Sequence, residues 1–225
     1  MTNKKLGRIL IAVGALLLAA AVSLVIYNKY RSSEAKKNAE ETVIKLRAYA
    51  EKAAESSSLP DKDTESRPDP LPGSSTDTPP APEEEEELTP LDIDGTRYIG
   101  IITVPKLGIE LPVTEGWDYV KMQNAACVYS GSIKDRDIII CAHNYSSFFL
   151  DLEDLEEGDE VRFTGLDGRE YIYRVDWEEL ISGMDAGTLR SGSDRWDLTL
   201  FTCTWSGYSR VTVRCTEVRG QQAAE

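Results

Sequence analysis

Residues 198 to 215 read LTLFTCTWSGYSRVTVRC. An apolar run ends at Cys203, a short stretch holding Gly207 follows, and Arg210 opens a segment in which Val211, Val213 and Cys215 alternate with polar residues. Alternation with period two marks strands, and a Gly-bearing connection of a few residues marks a tight turn. The segment therefore reads as strand, turn, strand. Two readings of Cys203 compete: a buried structural thiol, or a nucleophile meeting a cationic partner at the open end of a sheet.

The flanking sequence extends the β pattern. RYIGIITV (97–104) and LPVTEG (111–116) are short apolar stretches punctuated by Gly and Pro. DIIICAH (137–143) is a continuous apolar run of strand length, as a strand covered on both faces requires. EVRFTGLDGREYIYRV (160–175) alternates on either side of Asp167-Gly168, a hairpin signal because such a turn needs positive φ. Helix is limited to a turn or two near DYVKMQNA (118–125) and SSFFLDLEDL (146–155). The expected fold is mostly β, a small closed barrel over residues 92–219 with short peripheral helices and a flexible tail at 220–225.

Upstream, the chain changes character. After a short N-terminus (1–8), residues 9–27, ILIAVGALLLAAAVSLVIY, carry no charge over a length of roughly 30 Å as helix, the thickness of a bilayer core. Ala19-Ala20-Ala21 resembles a signal-peptide cleavage site, but the apolar run continues past it, which favours an uncleaved transmembrane anchor. Basic residues flank the run on both sides, so charge alone does not orient it. Residues 28–55 read as an exposed helical stalk, with Val43, Leu46 and Ala50 at helical spacing and a coiled-coil partner as the alternative. Residues 56–91 hold eight of the chain's ten prolines and five consecutive glutamates at 83–87. Such a segment has nothing to bury and reads as a disordered spacer.

Composition removes several function classes. A formal charge of -14 leaves no basic face for nucleic acid. One histidine and four cysteines without a C-x-x-C pair speak against a zinc site, and no metal or cofactor is expected. Cys141 and Cys215 read as buried thiols, while an even count in an exported chain permits disulfides without establishing them.

The chemistry converges on three residues. His143 follows the buried run DIIICAH directly. If that strand neighbours LTLFTC, His143 and Cys203 emerge on one rim, where an imidazole and a guanidinium would favour the thiolate. The histidine could protonate a leaving amine and deprotonate an incoming one. Arg210 would hold a developing oxyanion. Arg214 competes for that role from the same face of its strand, about 13 Å away. Arg210 is preferred because it lies nearer the turn. The implied chemistry is acyl transfer through a thioester.

These residues resemble a known family. TLFTC followed by an arginine opening the last strand is similar to the T-L-x-T-C signature of sortases, the membrane-anchored cysteine transpeptidases of Gram-positive bacteria. AHNYSSFFLDLEDLEEGDEV and IGIITVPKLGIELPV resemble their histidine segment and first two strands, and the likeness spans roughly residues 97–218. The resemblance implies an eight-stranded sortase barrel, with Cys203 as nucleophile, His143 as acid/base and Arg210 as oxyanion or substrate stabiliser. It implies a protein substrate with an LPXTG-like sorting signal cut after threonine, and an acceptor amine on a peptidoglycan precursor or a pilin lysine. It places the N-terminus in the cytoplasm and the barrel outside a single-pass membrane anchor, with the linker as a tether. The short stretch between Val175 and Leu198 points to a class A or D-like enzyme. Pocket walls are expected from DWEELISGMDAGTLRSGSDRW (176–196), where Gly183, Gly187 and Gly192 suggest mobility.

Two rivals remain in view. A papain-like or NlpC-like peptidase would place its cysteine before the histidine and at a helix start, the reverse of the order here. A tethered surface-binding β-domain would make the three residues incidental.

Overall fold

The computed structural model describes residues 2–57, 88–190 and 195–219. Helix α1 runs Thr2–Ser57 without a break. Among the described residues nine strands follow: β1 Leu91–Ile93, β2 Thr96–Val104, β3 Ile109–Thr114, β4 Ala126–Ser130, β5 Ile138–Cys141, β6 Glu160–Gly165, β7 Glu170–Ser182, β8 Leu198–Cys203 and β9 Ser209–Glu217. Helix α2, Ala186–Arg190, lies between β7 and β8. The two expected short helices are single 3-10 turns at Lys121–Gln123 and Leu152–Asp154.

The strands run β2-β3-β4-β5-β8-β9-β7-β6, and β6 pairs back onto β2 from Gly100↔Gly165 to Thr103↔Arg162. This closes an eight-stranded barrel, with β1 added outside as a short hairpin on β2. Closure leaves no long unpaired edge. The seam depends on Gly100, where a Cβ would lie 2.3 Å from the Thr164 carbonyl oxygen and 2.7 Å from the Phe163 ring. The interior is filled by inward-facing side chains such as Ile102, Leu111, Ile140, Phe163, Leu200 and Val213, all fully buried. Each contributes about 1.5–3 kcal/mol by leaving water. The Asp167-Gly168 hairpin forms as expected. Gly168 takes the positive φ of 83°, and Asp167 Oδ1 accepts from the Arg169 amide at 3.0 Å.

The 28–55 segment is helical, and one of its faces is buried against the barrel while the others are exposed. Ala35, Ala39, Val43, Leu46 and Ala50 form a buried stripe, with Leu46 packed among Tyr98, Ile101, Ala125 and Leu166. Polar contacts run along the same face. Arg31 Nη2 donates to Gln123 Oε1 at 2.6 Å, Asn38 Nδ2 to Asn124 Oδ1 at 3.0 Å, and Arg47 pairs with Glu110. At its far end α1 reaches the β6–β7 turn, where Ala54 Cβ lies 3.1 Å from a Cβ built on Gly168. The helix is thus a strut clamped to the barrel wall.

This bears on the tether reading. The linker follows a docked helix, so it does not separate the apolar run from the barrel. Residues 58–87 of that linker, and the tail from 220, lie outside the described residues. Leu88, just after it, packs against the core near Gly165, and β1 begins at Leu91. Ala54 and Leu88, described residues on either side of it, therefore lie against the same β6–β7 hairpin.

Candidate active site

Strands β5 and β8 are parallel neighbours in register, Ile138↔Leu198 through Cys141↔Phe201. Continuing that register by two residues puts His143 beside Cys203 at the strand ends. Two bonds pin the ends together: the Ala142 amide donates to the Phe201 carbonyl at 3.3 Å, and Thr202 Oγ1 donates to the Ala142 carbonyl at 2.9 Å. Thr202 is a positioning residue that the sequence reading quoted without giving it a role. On the other side of β8, Cys203 is the cross-strand partner of Arg210 on β9. Antiparallel partners directly opposite bring side chains within roughly 5 Å at Cβ. The structure thus brings all three sequence-derived candidates to one rim.

Arg214 is elsewhere and fully engaged. Only 2% of its side chain is exposed. Its guanidinium donates to Glu179 Oε1, Thr199 Oγ1 and the Leu189 and Thr188 carbonyls, and stacks over Trp196 at 5.1 Å. Those carbonyls belong to the last turn of α2, where a cation satisfies acceptors the helix leaves unpaired. Arg214 therefore anchors the β7–β8 connection.

His143 sits between two tyrosines, stacked on Tyr145 at 4.9 Å and met edge-on by Tyr119 at 5.5 Å. Tyr119 is placed by Asp118, whose Oδ1 accepts from the Val120 and Lys121 amides at 2.7 and 3.2 Å. The loop after His143 is tied down by the fully buried Phe148 and Phe149, and the Phe149 amide donates to the His143 carbonyl at 3.2 Å. His143 Nε2 is buried with no hydrogen-bond partner. Burial, reinforced by the nearby Arg31 guanidinium, lowers its pKa below the ordinary histidine value. The imidazole is therefore held neutral at pH 7.

A cleft of about 140 Å³ opens beside Cys203 and Arg210. Its walls include Ile181, Gly183, Asp185 and Leu189 from the expected pocket loop. Asp185 fixes the start of α2 by accepting from the Thr188 amide at 2.9 Å. The other walls, Trp117, Met122 and Tyr129, come from β4 and the turn before it, which sequence reasoning missed. All four cysteines are free thiols, and only Cys203 is not buried. Burial pushes the Cys127, Cys141 and Cys215 thiols up, which leaves them protonated and unreactive.

A closed eight-stranded barrel with a cysteine, a histidine and an arginine at one rim defines a class of thiol-bearing barrel proteins. The sortase domain family matches residues 102–218, 117 of the chain's 225 residues, and the chain belongs to that family. Sortase D of Bacillus subtilis (strain 168) is 26% identical over 107 residues, 46% of this chain and 53% of the relative. The chain thus spans about half the length of that curated relative. Among solved structures it is similar to a Clostridium perfringens Sortase D5 transpeptidase (23% identity, TM-score 0.47, covering 54% of this chain and 79% of that one). It is also similar to sortase A from Corynebacterium diphtheriae (22%, TM-score 0.49, 57% and 64%) and sortase C1 from Streptococcus agalactiae (24%, TM-score 0.47, 58% and 72%).

Proposed function

We propose that the chain is a membrane-anchored cysteine transpeptidase, held by residues 9–27 of α1, that cleaves an LPXTG-like sorting signal and passes the acyl group to an amine. The observation that supports this reading is the in-register pairing of β5 with β8, which runs to Cys141↔Phe201, two residues short of His143 and Cys203, with Arg210 opposite Cys203 on β9. Residues 9–27 lie in the part of α1 long and apolar enough to cross a bilayer.

In the first half-reaction the Cys203 sulfur, its proton passed to His143, attacks the carbonyl carbon of the signal's threonine. Arg210 stabilises the oxyanion, and its permanent charge suits that role. The imidazolium then protonates the leaving amine, and a thioester remains on Cys203. In the second half-reaction neutral His143 deprotonates the incoming amine, which attacks the thioester and frees the thiol. The orphaned Nε2 of His143 fits this work, because a buried nitrogen without a partner is available to a reacting proton. The acceptor amine belongs to a cell-wall precursor on this reading, or to a pilin lysine.

The test is intact-mass spectrometry of the full chain incubated with LPXTG-like peptides, with and without an amine. The expected result is an acyl adduct on wild type, discharged by amine and absent from Cys203→Ala. Arg210→Lys should still label with a thiol probe but form the adduct at least tenfold more slowly, about 1.4 kcal/mol of transition-state stabilisation. An adduct on Cys203→Ala, or hydrolysis that no amine diverts, would overturn the proposal.

A further inference from the structure

The membrane reading above has a geometric consequence, because α1 is one unbroken helix from the apolar run to the barrel wall. Its first contacts with the barrel fall at the catalytic rim. Arg31 bonds Gln123 and lines one recess with Tyr145, and Ser32 lies 3.5 Å from the hydroxyls of Ser146 and, through its carbonyl, Ser147. Tyr145 is the ring stacked on His143. Its last contacts are at the opposite end, on the β6–β7 turn. The barrel therefore stands on its catalytic rim, close to where the apolar run stops.

The spacing is short. From Tyr27, the last residue of the apolar run, to Arg31 is four residues, a rise of about 6 Å. The headgroup layer on each side of a bilayer core is roughly 5–8 Å thick. The part of the rim beside α1 therefore lies level with the headgroups, and a helix tilt of about 20° shortens the rise along α1 by less than a tenth.

The rim is dressed for such a place. Trp205 and Tyr208, in the turn after Cys203, are each 83% exposed, and Tyr119 and Trp117 beside His143 and the cleft are 61% and 53% exposed. Met184, on the next loop, is almost fully exposed. Large apolar rings in water are unusual in this density, and Trp and Tyr are the residues enriched at membrane–water interfaces. We infer that the mouth of the active site rests on the lipid surface of the membrane that α1 spans, with Trp117, Tyr119, Trp205 and Tyr208 in the headgroup layer.

The inference rests on the anchor reading, and the experiment separates the two. The full chain is reconstituted into phosphatidylcholine vesicles brominated high in the acyl chains, and tryptophan emission is recorded after flotation. Trp177 is the internal control. It is also exposed, but it pairs with Arg214, about 13 Å along the strand from Arg210. Bromine should quench the emission, and Trp117→Phe with Trp205→Phe should remove most of the quenchable signal, while Trp177→Phe removes little. Inserting seven helix-forming residues after Lys29 lifts the barrel by about 10 Å yet turns it by only about 20°, so quenching should fall to the Trp177 level. A chain that does not float with the vesicles overturns the anchor and the inference together. A chain that floats with Trp117 and Trp205 unquenched, or with quenching indifferent to the insertion, overturns the inference alone and makes these rings a docking face for protein.

Discussion

Cys203, His143 and Arg210 differ from their neighbours in what surrounds them rather than in chemistry. Four cysteines share one barrel, yet three are buried with their thiols pushed up, and only Cys203 lines the cleft. Two arginines share one face of β9, yet Arg214 spends its donors on α2, Glu179 and Thr199 while Arg210 lines the cleft. His143 is the chain's one histidine, so its titration is free of overlap. Burial and Arg31 lower its pKa in the folded chain, so between that value and the ordinary one near 6.5 the unfolded chain binds the proton more readily. Its contribution to stability is fully present above that ordinary value and is lost as pH falls through the folded one. We predict an imidazole NMR midpoint below the ordinary value in the full chain. Arg31→Met should move it upward by relieving charge repulsion, and a midpoint at or above the ordinary value would refute the burial seen here.

At the scale of elements, the docked helix is what the sequence reading missed in part. Val43, Leu46 and Ala50 were legible as a helical stripe, but its continuation is Ala35 and Ala39, and alanine speaks for helix propensity as readily as for burial. The barrel strands β2, β3, β5, β6, β8 and β9 were legible because alternation or solid apolar runs mark them. Short β4 was not, since Tyr129 and Ser130 are only half-buried, and the second half of β7 hides behind charged residues and a register shift between Val175 and Trp177. The candidate site was legible because its residues sit at strand ends; its Trp117, Met122 and Tyr129 wall depends on tertiary folding alone. If the stripe holds α1 to the barrel, Leu46→Ala should cost about 2–4 kcal/mol through lost burial and the cavity left behind. Chemical denaturation of the full chain in detergent measures this, and α1 amides should lose hydrogen-exchange protection before the barrel does. A cost below about 0.5 kcal/mol, the range of ordinary surface substitutions, would mean that the contact is not stabilising.

For the whole molecule, α1 decides what the acidic segment 58–87 can do. If that segment were the reach between membrane and barrel, its length would set how far Cys203 can travel, and shortening it would strand the enzyme. The docked helix argues against that role, because α1 itself joins the apolar run to the barrel wall. Ala54 and Leu88, on either side of the segment, both lie against the β6–β7 hairpin. Loop-closure entropy then predicts the effect of cutting it. Replacing these thirty residues with about ten of Gly and Ser shortens the loop threefold and should stabilise the fold by about 1 kcal/mol. About ten residues still span up to 33 Å, ample for two points on one hairpin. The rate of thioester formation on a membrane-held substrate should be unchanged in this shortened chain, whereas the seven-residue insertion in α1 should slow it. Tether and strut thus predict opposite outcomes for the same pair of variants. A shortened chain that loses activity while keeping its melting temperature would restore the tether.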